Sequence, residues 1–180
     1  MRTFFIVHGS FGDSNEHFLP WLKEQLSKVG EVFALDFPIG KDCQTYDSWA
    51  NVLDKYKNKI NEQTTFIGRS IAPIFIIKYL TSNNLKIDKL ISISGFNGYI
   101  NIPDYDYVNK TFLMDNIDNF KDYCKHTICF YSKNDPYVPF YLLDMFSRCV
   151  AEKSIITDDG GHFNADSGYG EKFEELLKYI

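Results

Sequence analysis

Short apolar segments alternate with amphipathic stretches along the chain. Six of the segments are rich in Ile, Val, Phe and Thr, as β-strands are. They span residues 3–7, 31–35, 64–67, 89–93, 127–131 and 153–156. Most are continuously apolar and do not alternate with polar residues, a pattern that predicts strands covered on both faces.

The intervals between these segments show helical spacing of apolar residues. Such spacing follows Pro20 and recurs over residues 49–60, 72–80, 140–150 and 169–180. Alternation of strand and helix predicts one domain over residues 1–180, with a parallel sheet between two layers of helices. Residues 96–125 break the alternation, and their Tyr, Asn and Asp content predicts a small cap-like insertion.

Composition excludes several classes of protein. With 17% aromatic residues the chain is not disordered, and a net charge of −5 disfavours binding to a phosphate backbone. No stretch approaches the ~20 apolar residues of a membrane span, so we expect a cytoplasmic protein with no membrane partner. Cys124, His126 and Cys129 lack the spacing of a zinc site, and we predict no bound metal.

Candidate catalytic residues follow three of the predicted strands. Ligands of a parallel sheet bind beyond the carboxyl ends of its strands. Ser70 follows the third segment, Asp135 the fifth and His162 the sixth. A Ser, an acid and a His in this chain order form the catalytic triad of α/β-hydrolases. Each residue has an ordinary alternative as a turn or loop residue, but their occurrence together at successive strand ends favours a triad.

The residues around Ser70 suit the sharp turn on which such a serine sits. Gly68 and Ala72 place small residues two before and two after Ser70, where neighbouring backbone must approach closely. The pattern departs from Gly-x-Ser-x-Gly at Ala72, and Arg69 is an unusual residue for its position.

Other acids and histidines are weaker candidates. Asp158 and Asp159 lie too close in sequence to His162 to hold it from a separate strand end. His126 precedes the fifth segment, at the opposite edge of the sheet, and His17 is expected at the surface or at the rim of the site.

The turn after the first strand has two interpretations. His8-Gly9 is compatible with a simple tight turn or with an oxyanion hole. In the second case the backbone N–H of Ile71 is one donor, and the N–H of Ser10 or Phe11 is the other.

Residues of a substrate pocket are predicted with less support from spacing. The candidates are His8, Arg69, Phe96 and Tyr137. The aromatic residues of the insertion either line an apolar pocket or pack the insertion onto the sheet, and the sequence leaves both alternatives open.

Six segments resemble the small serine hydrolases of the retinoblastoma-binding protein 9 / YdeN family, within the α/β-hydrolase superfamily. They read FIVHGSFGD, HFLPWL, DSWANVL, GRSIA, SKNDPYVP and GGHFN, and they span almost the whole chain. The resemblance implies a compact α/β-hydrolase fold without the first strands of larger relatives. Equating the first strand with the central strand of that superfamily predicts the order 2-1-3-4-5-6.

The resemblance also implies Ser70, Asp135 and His162 as the triad, with no metal or organic cofactor. We therefore expect a serine hydrolase that cleaves a small-molecule carboxylic ester or amide. Two alternatives remain: a protein-interaction module that has lost useful catalysis, and an acyltransferase that forms the same acyl-enzyme. The sequence itself supports no protein partner.

Overall fold

A single six-stranded sheet organises the protein. The computed structural model describes residues 2–180. The strands are β1 Arg2–Val7, β2 Gly30–Leu35, β3 Thr64–Arg69, β4 Ile87–Ile93, β5 Cys124–Ser132 and β6 Lys153–Thr157. Their order is β2-β1-β3-β4-β5-β6 and every neighbouring pair is parallel, which confirms the predicted topology.

Helices connect the strands and cover both faces of the sheet. They are α1 Leu19–Ser27, α2 Tyr46–Asp54, α3 Ala72–Ser82, α4 Pro103–Asn109 and α5 Phe140–Val150. Short 3₁₀ turns lie at Lys57–Lys59, Asp118–Asp122, Ala165–Ser167 and Glu174–Tyr179. The helical spacing that continues to residue 60 therefore divides into α2 and a separate 3₁₀ turn.

The two faces of the sheet carry separate apolar cores, as the pleat of β1 illustrates. Phe5 and Val7 belong to a core with α2, α3 and α5, whereas Phe4 and Ile6 belong to a core with α1 and the chain terminus. All four side chains are at most 1% exposed. Burial on both faces explains why the strand segments are continuously apolar.

The final apolar stripe does not form the predicted α-helix. Residues Glu174–Tyr179 form a 3₁₀ turn, in which side chains three positions apart lie above one another. Phe173, Leu176 and Tyr179 have this spacing, and all three pack against the core that contains α1. Side chains repeating every three residues therefore cover this part of the sheet, where an α-helix would place one every 3.6 residues.

The segment 96–125 carries α4 and the 3₁₀ turn Asp118–Asp122. Phe96 and Phe112 are at most 1% exposed and belong to the core below α3 and α5, so the segment is packed firmly onto the sheet. No helix within residues 2–180 has both the length and the apolar character needed to cross a membrane.

Candidate active site

Ser70 occupies a sharp turn between β3 and α3. Its φ is +60°, in the left-handed region that L residues rarely adopt, and Ile71 then starts the helix with right-handed angles. The Ser70 N–H donates to the carbonyl of Ile93, 2.8 Å away at the end of β4. This bond to the neighbouring strand holds a strained residue in place, as is typical of functional sites.

Two glycines make room for this turn. A β-carbon on Gly68 would lie 2.8 Å from Ile76 Cδ1 and 3.1 Å from the nitrogen of Pro73, so glycine lets α3 pack against the end of β3. A β-carbon on Gly9 would lie 3.0 Å from Ser70 Cβ. The β1 loop therefore passes directly beside the serine.

Asp135 and His162 form a buried pair at the ends of β5 and β6. Their atoms Oδ2 and Nδ1 are 2.7 Å apart, and their side chains are 0% and 5% exposed respectively. The other carboxylate oxygen, Oδ1, accepts the backbone N–H groups of Tyr137 and Val138, each at 2.9 Å. These two bonds fix the carboxylate so that its free oxygen faces the imidazole.

A second bond ties the loop of Asp135 to the loop of His162. Oδ1 of Asn134 accepts the N–H of Gly161 at 2.7 Å and the hydroxyl of Ser132 at the same distance. Gly161 has φ +53°, which glycine adopts without strain, and this conformation brings His162 back over the sheet edge.

The rival acids are placed elsewhere. The Asp158 carboxylate pairs with Lys133 at 2.7 Å, and its side chain is 83% exposed. Asp135 is thus the acid that contacts His162.

Ser70 and His162 line a common cavity of about 220 Å³. Its other walls come from the β1 loop and the 96–125 segment, and from Tyr137, whose ring meets the His162 ring edge-on at 5.3 Å. Among residues 2–180, the side-chain hydrogen bond of His162 reaches Asp135 and not Ser70. Hydrogen bonds between a catalytic serine and its base are often long until substrate binds.

The three backbone N–H groups predicted as oxyanion donors differ in whether they already donate a hydrogen bond. Within the described residues, the N–H groups of Ile71 and Ser10 have no hydrogen-bond partner, whereas the N–H of Phe11 donates to Oε1 of Gln44 at 3.1 Å. Of the two alternatives for the second oxyanion donor, Phe11 is therefore disfavoured because its hydrogen is already engaged.

Gln44 belongs to a buried polar network that joins the β1 loop to α4. Its Nε2 donates to Oδ1 of Asn109 at 3.0 Å, and the hydroxyl of Ser10 donates to the same oxygen at 2.6 Å. Gln44 is 1% exposed and Asn109 is 2% exposed. In such a low-dielectric setting these bonds rigidify the groups that they connect.

One wall of the cavity is charged. Arg69 Nη1 donates to Oε1 of Glu16 at 2.6 Å, His17 Nε2 lies 3.8 Å from the other oxygen of Glu16, and Asp166 lines the same cavity. Burial lowers the pKa of Arg69 and raises the pKa of Glu16, while each charge opposes the shift of the other. Burial likewise lowers the pKa of His17.

His8, predicted as a pocket residue, does not line the cavity that Ser70 and His162 share. Its side chain lies under the loop, where Nε2 accepts the N–H of Phe37 at 3.0 Å and Nδ1 donates to the Gly9 carbonyl at 2.8 Å. The ring packs edge-on against Trp49, with centroids 5.4 Å apart. Burial lowers the pKa of His8 and so favours the neutral form, and the two hydrogen bonds select its tautomer.

Within segment 96–125, Tyr105 lines the cavity, whereas other aromatic residues pack the segment onto the sheet. Phe96, predicted as a pocket residue, does not line the cavity, since it is 1% exposed and packs in the core. Tyr105 lines the cavity together with Arg69 and Tyr137, and its ring meets that of Phe11 at 5.1 Å.

Sequence reasoning missed four polar residues that shape the site: Glu16, Gln44, Asn109 and Asp166. The hydrogen-bond partners of Glu16, Gln44 and Asn109 are distant along the chain, and none of the four residues follows a strand directly. Glu16 and Gln44 lie in the loops after β1 and β2, at the same sheet edge as Ser70. That position is the one feature of the sequence that could have indicated a role in the site.

No group of three or more His, Cys, Asp or Glu side chains able to hold a metal occurs within residues 2–180. Cys124 and Cys129 are buried thiols, and burial raises their pKa values to about 11 and about 12. Their protonated form is a poor metal ligand.

Known proteins share this fold. The structure of the ydeN gene product from Bacillus subtilis superposes with a TM-score of 0.85 at 24% identity, over 99% of this chain and 98% of that one. Est1E from Butyrivibrio proteoclasticus, solved with ferulic acid, gives a TM-score of 0.70 at 16% identity, over 99% and 86% of the two chains.

Sequence comparison places the chain in a family. YdeN of Bacillus subtilis (strain 168), which is named as a hydrolase, is 26% identical over 173 residues, or 93% of this chain and 89% of YdeN. The model of the serine hydrolase family matches residues 4–179, which is nearly the whole chain. The protein therefore belongs to the serine hydrolase family and is an enzyme of hydrolytic function.

Proposed function

We propose that the protein cleaves a small carboxylic ester or amide through an acyl-enzyme formed on Ser70. The observation that carries the proposal is the pairing of a buried Asp135–His162 couple with a serine in a strained turn, on one cavity.

The first half-reaction begins with Ser70 Oγ attacking the substrate carbonyl carbon. His162 Nε2 takes the hydroxyl proton, because Asp135 engages the opposite ring nitrogen and leaves Nε2 free to accept it. The anionic oxygen of the tetrahedral intermediate is stabilised by the free N–H groups of Ile71 and Ser10. Collapse of the intermediate expels the leaving group, which takes the proton from His162.

The second half-reaction repeats this chemistry with water. His162 accepts a proton from the water as it attacks the acyl carbon, and the proton then returns to Ser70 Oγ when the acid leaves. These steps need no metal or organic cofactor. The cavity of about 220 Å³ favours a small acyl group.

Covalent labelling tests the proposal. A fluorophosphonate probe should label the wild-type protein and should fail to label Ser70→Ala. Ser27→Ala is the matched control, because Ser27 is exposed on α1 and its hydroxyl only bonds the Lys23 carbonyl. Equal labelling of Ser70→Ala would place the reactive serine elsewhere, and no labelling of the wild type would favour an interaction module.

Hydrolysis and acyl transfer share the acyl-enzyme and need a second measurement. With a p-nitrophenyl ester, added alcohol should divert only a minor part of the acyl group from water if the enzyme is a hydrolase. Dominant formation of the new ester at low alcohol concentration would identify an acyltransferase.

A further inference from the structure

The Arg69 guanidinium is held in the cavity wall with most of its donors unused. Its side chain is 9% exposed, and Glu16 is its sole hydrogen-bond partner within residues 2–180. That bond engages Nη1, while Nε is buried with no partner.

A guanidinium has five N–H donors, and buried polar groups are nearly always hydrogen-bonded. Arg69 directly precedes Ser70 and lines the same cavity. A substrate bound at Ser70 therefore lies next to the Arg69 guanidinium, which has N–H donors without a protein acceptor among the described residues.

The charges around Arg69 favour a neutral acceptor over an anion. Glu16 neutralises Arg69 at 2.6 Å, and a second carboxylate, Asp166, lines the same cavity. An anionic group on the substrate would approach two carboxylates and one guanidinium, whereas an ether, hydroxyl or carbonyl oxygen meets no net repulsion.

The position of this wall assigns it to the leaving group. Asn164 and Asp166 lie two and four residues after His162 and line the cavity, and the N–H of Ala165 donates to Nδ1 of His17 at 3.4 Å. The charged wall is thus hydrogen-bonded to the loop that carries His162. In the proposed mechanism His162 delivers its proton to the leaving oxygen.

We propose that Arg69 binds a neutral hydrogen-bond acceptor on the alcohol portion of the substrate, so that the preferred substrates are esters of oxygen-bearing alcohols. The inference rests on the acyl-enzyme mechanism proposed above and adds the substrate class to it.

The test uses two isosteric pairs of esters. On the alcohol side, 2-methoxyethyl acetate is compared with butyl acetate, which has a methylene in place of the ether oxygen. On the acyl side, ethyl methoxyacetate is compared with ethyl butyrate. For each pair the ratio of kcat/KM values is measured in wild type and in Arg69→Met, so that intrinsic ester reactivity cancels.

Arg69→Met should lower the alcohol-side ratio about 10-fold, as expected for a lost hydrogen bond to a charged group, and should leave the acyl-side ratio unchanged. An unchanged alcohol-side ratio in the folded variant would overturn the proposal, and so would a change confined to the acyl side.

Glu16→Gln provides a second test if Arg69→Met does not fold. This variant leaves Arg69 uncompensated, so hydrolysis of 3-acetoxypropanoate should rise about 10-fold relative to 2-methoxyethyl acetate and the gain should shrink in high salt. No change in this preference would count against the role of Arg69. Failure of the underlying mechanism is recognised separately, because the wild type would then not react with fluorophosphonate.

Discussion

Gly9 lies so close to Ser70 that a β-carbon built on it would stand 3.0 Å from Ser70 Cβ. The two residues come from different strand ends, and their contact sets the distance between the β1 loop and the serine. We expect Gly9→Ala to displace Ser70 by a few tenths of an ångström and to lower kcat by about 10- to 100-fold.

Gly9→Ala should change folding much less than activity. The measurements are kcat on a p-nitrophenyl ester and the thermal midpoint by circular dichroism. Wild-type kcat in a folded Gly9→Ala protein would show that the loop can retreat without affecting the serine.

The Asp135–His162 pair leads to a prediction about the acid. Asparagine at position 135 can still accept the N–H groups of Tyr137 and Val138, so Asp135→Asn should fold. It should present the wrong imidazole tautomer and lose roughly 10⁴ in kcat, as serine proteases do. His162→Ala should lose a similar amount, and the double variant little more, because the residues act as a unit.

Asp158→Asn is the matched control for this series. Asp158 is exposed and paired with Lys133, so kcat should stay near the wild-type value. If Asp158→Asn were inactive while folded Asp135→Asn kept full activity, the acid would have been assigned to the wrong loop.

Gln44 holds the β1 loop through the N–H of Phe11 and the side chain of Asn109. We expect Gln44→Leu to release Phe11, to disorder the Ser10 donor and to lower kcat about 10-fold with a smaller change in KM. Gln25→Leu on α1 is the control, since Gln25 bonds only the exposed Lys28. An effect on KM alone would indicate that Gln44 shapes substrate binding and not the oxyanion hole.

Burial lowers the pKa of His8, and this shift makes stability depend on pH. Below the unfolded value of about 6.5 the unfolded chain takes up a proton that the folded protein excludes, so stability falls as pH falls. Between pH 7.5 and 5.5 we expect this histidine to lower the free energy of unfolding, by at most about 1.4 kcal/mol.

His8→Gln should reduce that loss, because glutamine keeps an acceptor for the Phe37 N–H and does not titrate. Urea unfolding of both proteins at the two pH values measures the difference. An identical pH dependence in the two proteins would show that His8 is protonated equally in the folded and unfolded states.

The strand order could be predicted from the resemblance, which equates the first strand with the central strand of the α/β-hydrolase superfamily. The meeting of Ser70, Asp135 and His162 at one sheet edge could be predicted because it depends on position along the chain. Residues that follow parallel strands meet at one sheet edge, whatever their separation. Apolar strand segments are likewise visible because both faces of the sheet are buried.

Contacts between loops could not be predicted in this way. Arg69 and Glu16 are 53 residues apart, and Gln44 and Asn109 are 65 residues apart, with no pattern that pairs them. The apolar stripe over residues 169–180 is ambiguous for a different reason: residues 173, 176 and 179 fit a repeat of three, while residues 169, 173, 176 and 180 fit a repeat of 3.6.

The bond from Gly161 N–H to Asn134 Oδ1 joins the loops of His162 and Asp135 through two groups that do not ionise. In the mechanism proposed for Ser70, gain or loss of a proton by the His162 imidazole therefore leaves this connection unchanged. The proposed cycle moves a proton on and off His162 while Asp135 stays at the same place, so proton transfer requires no movement of the two loops.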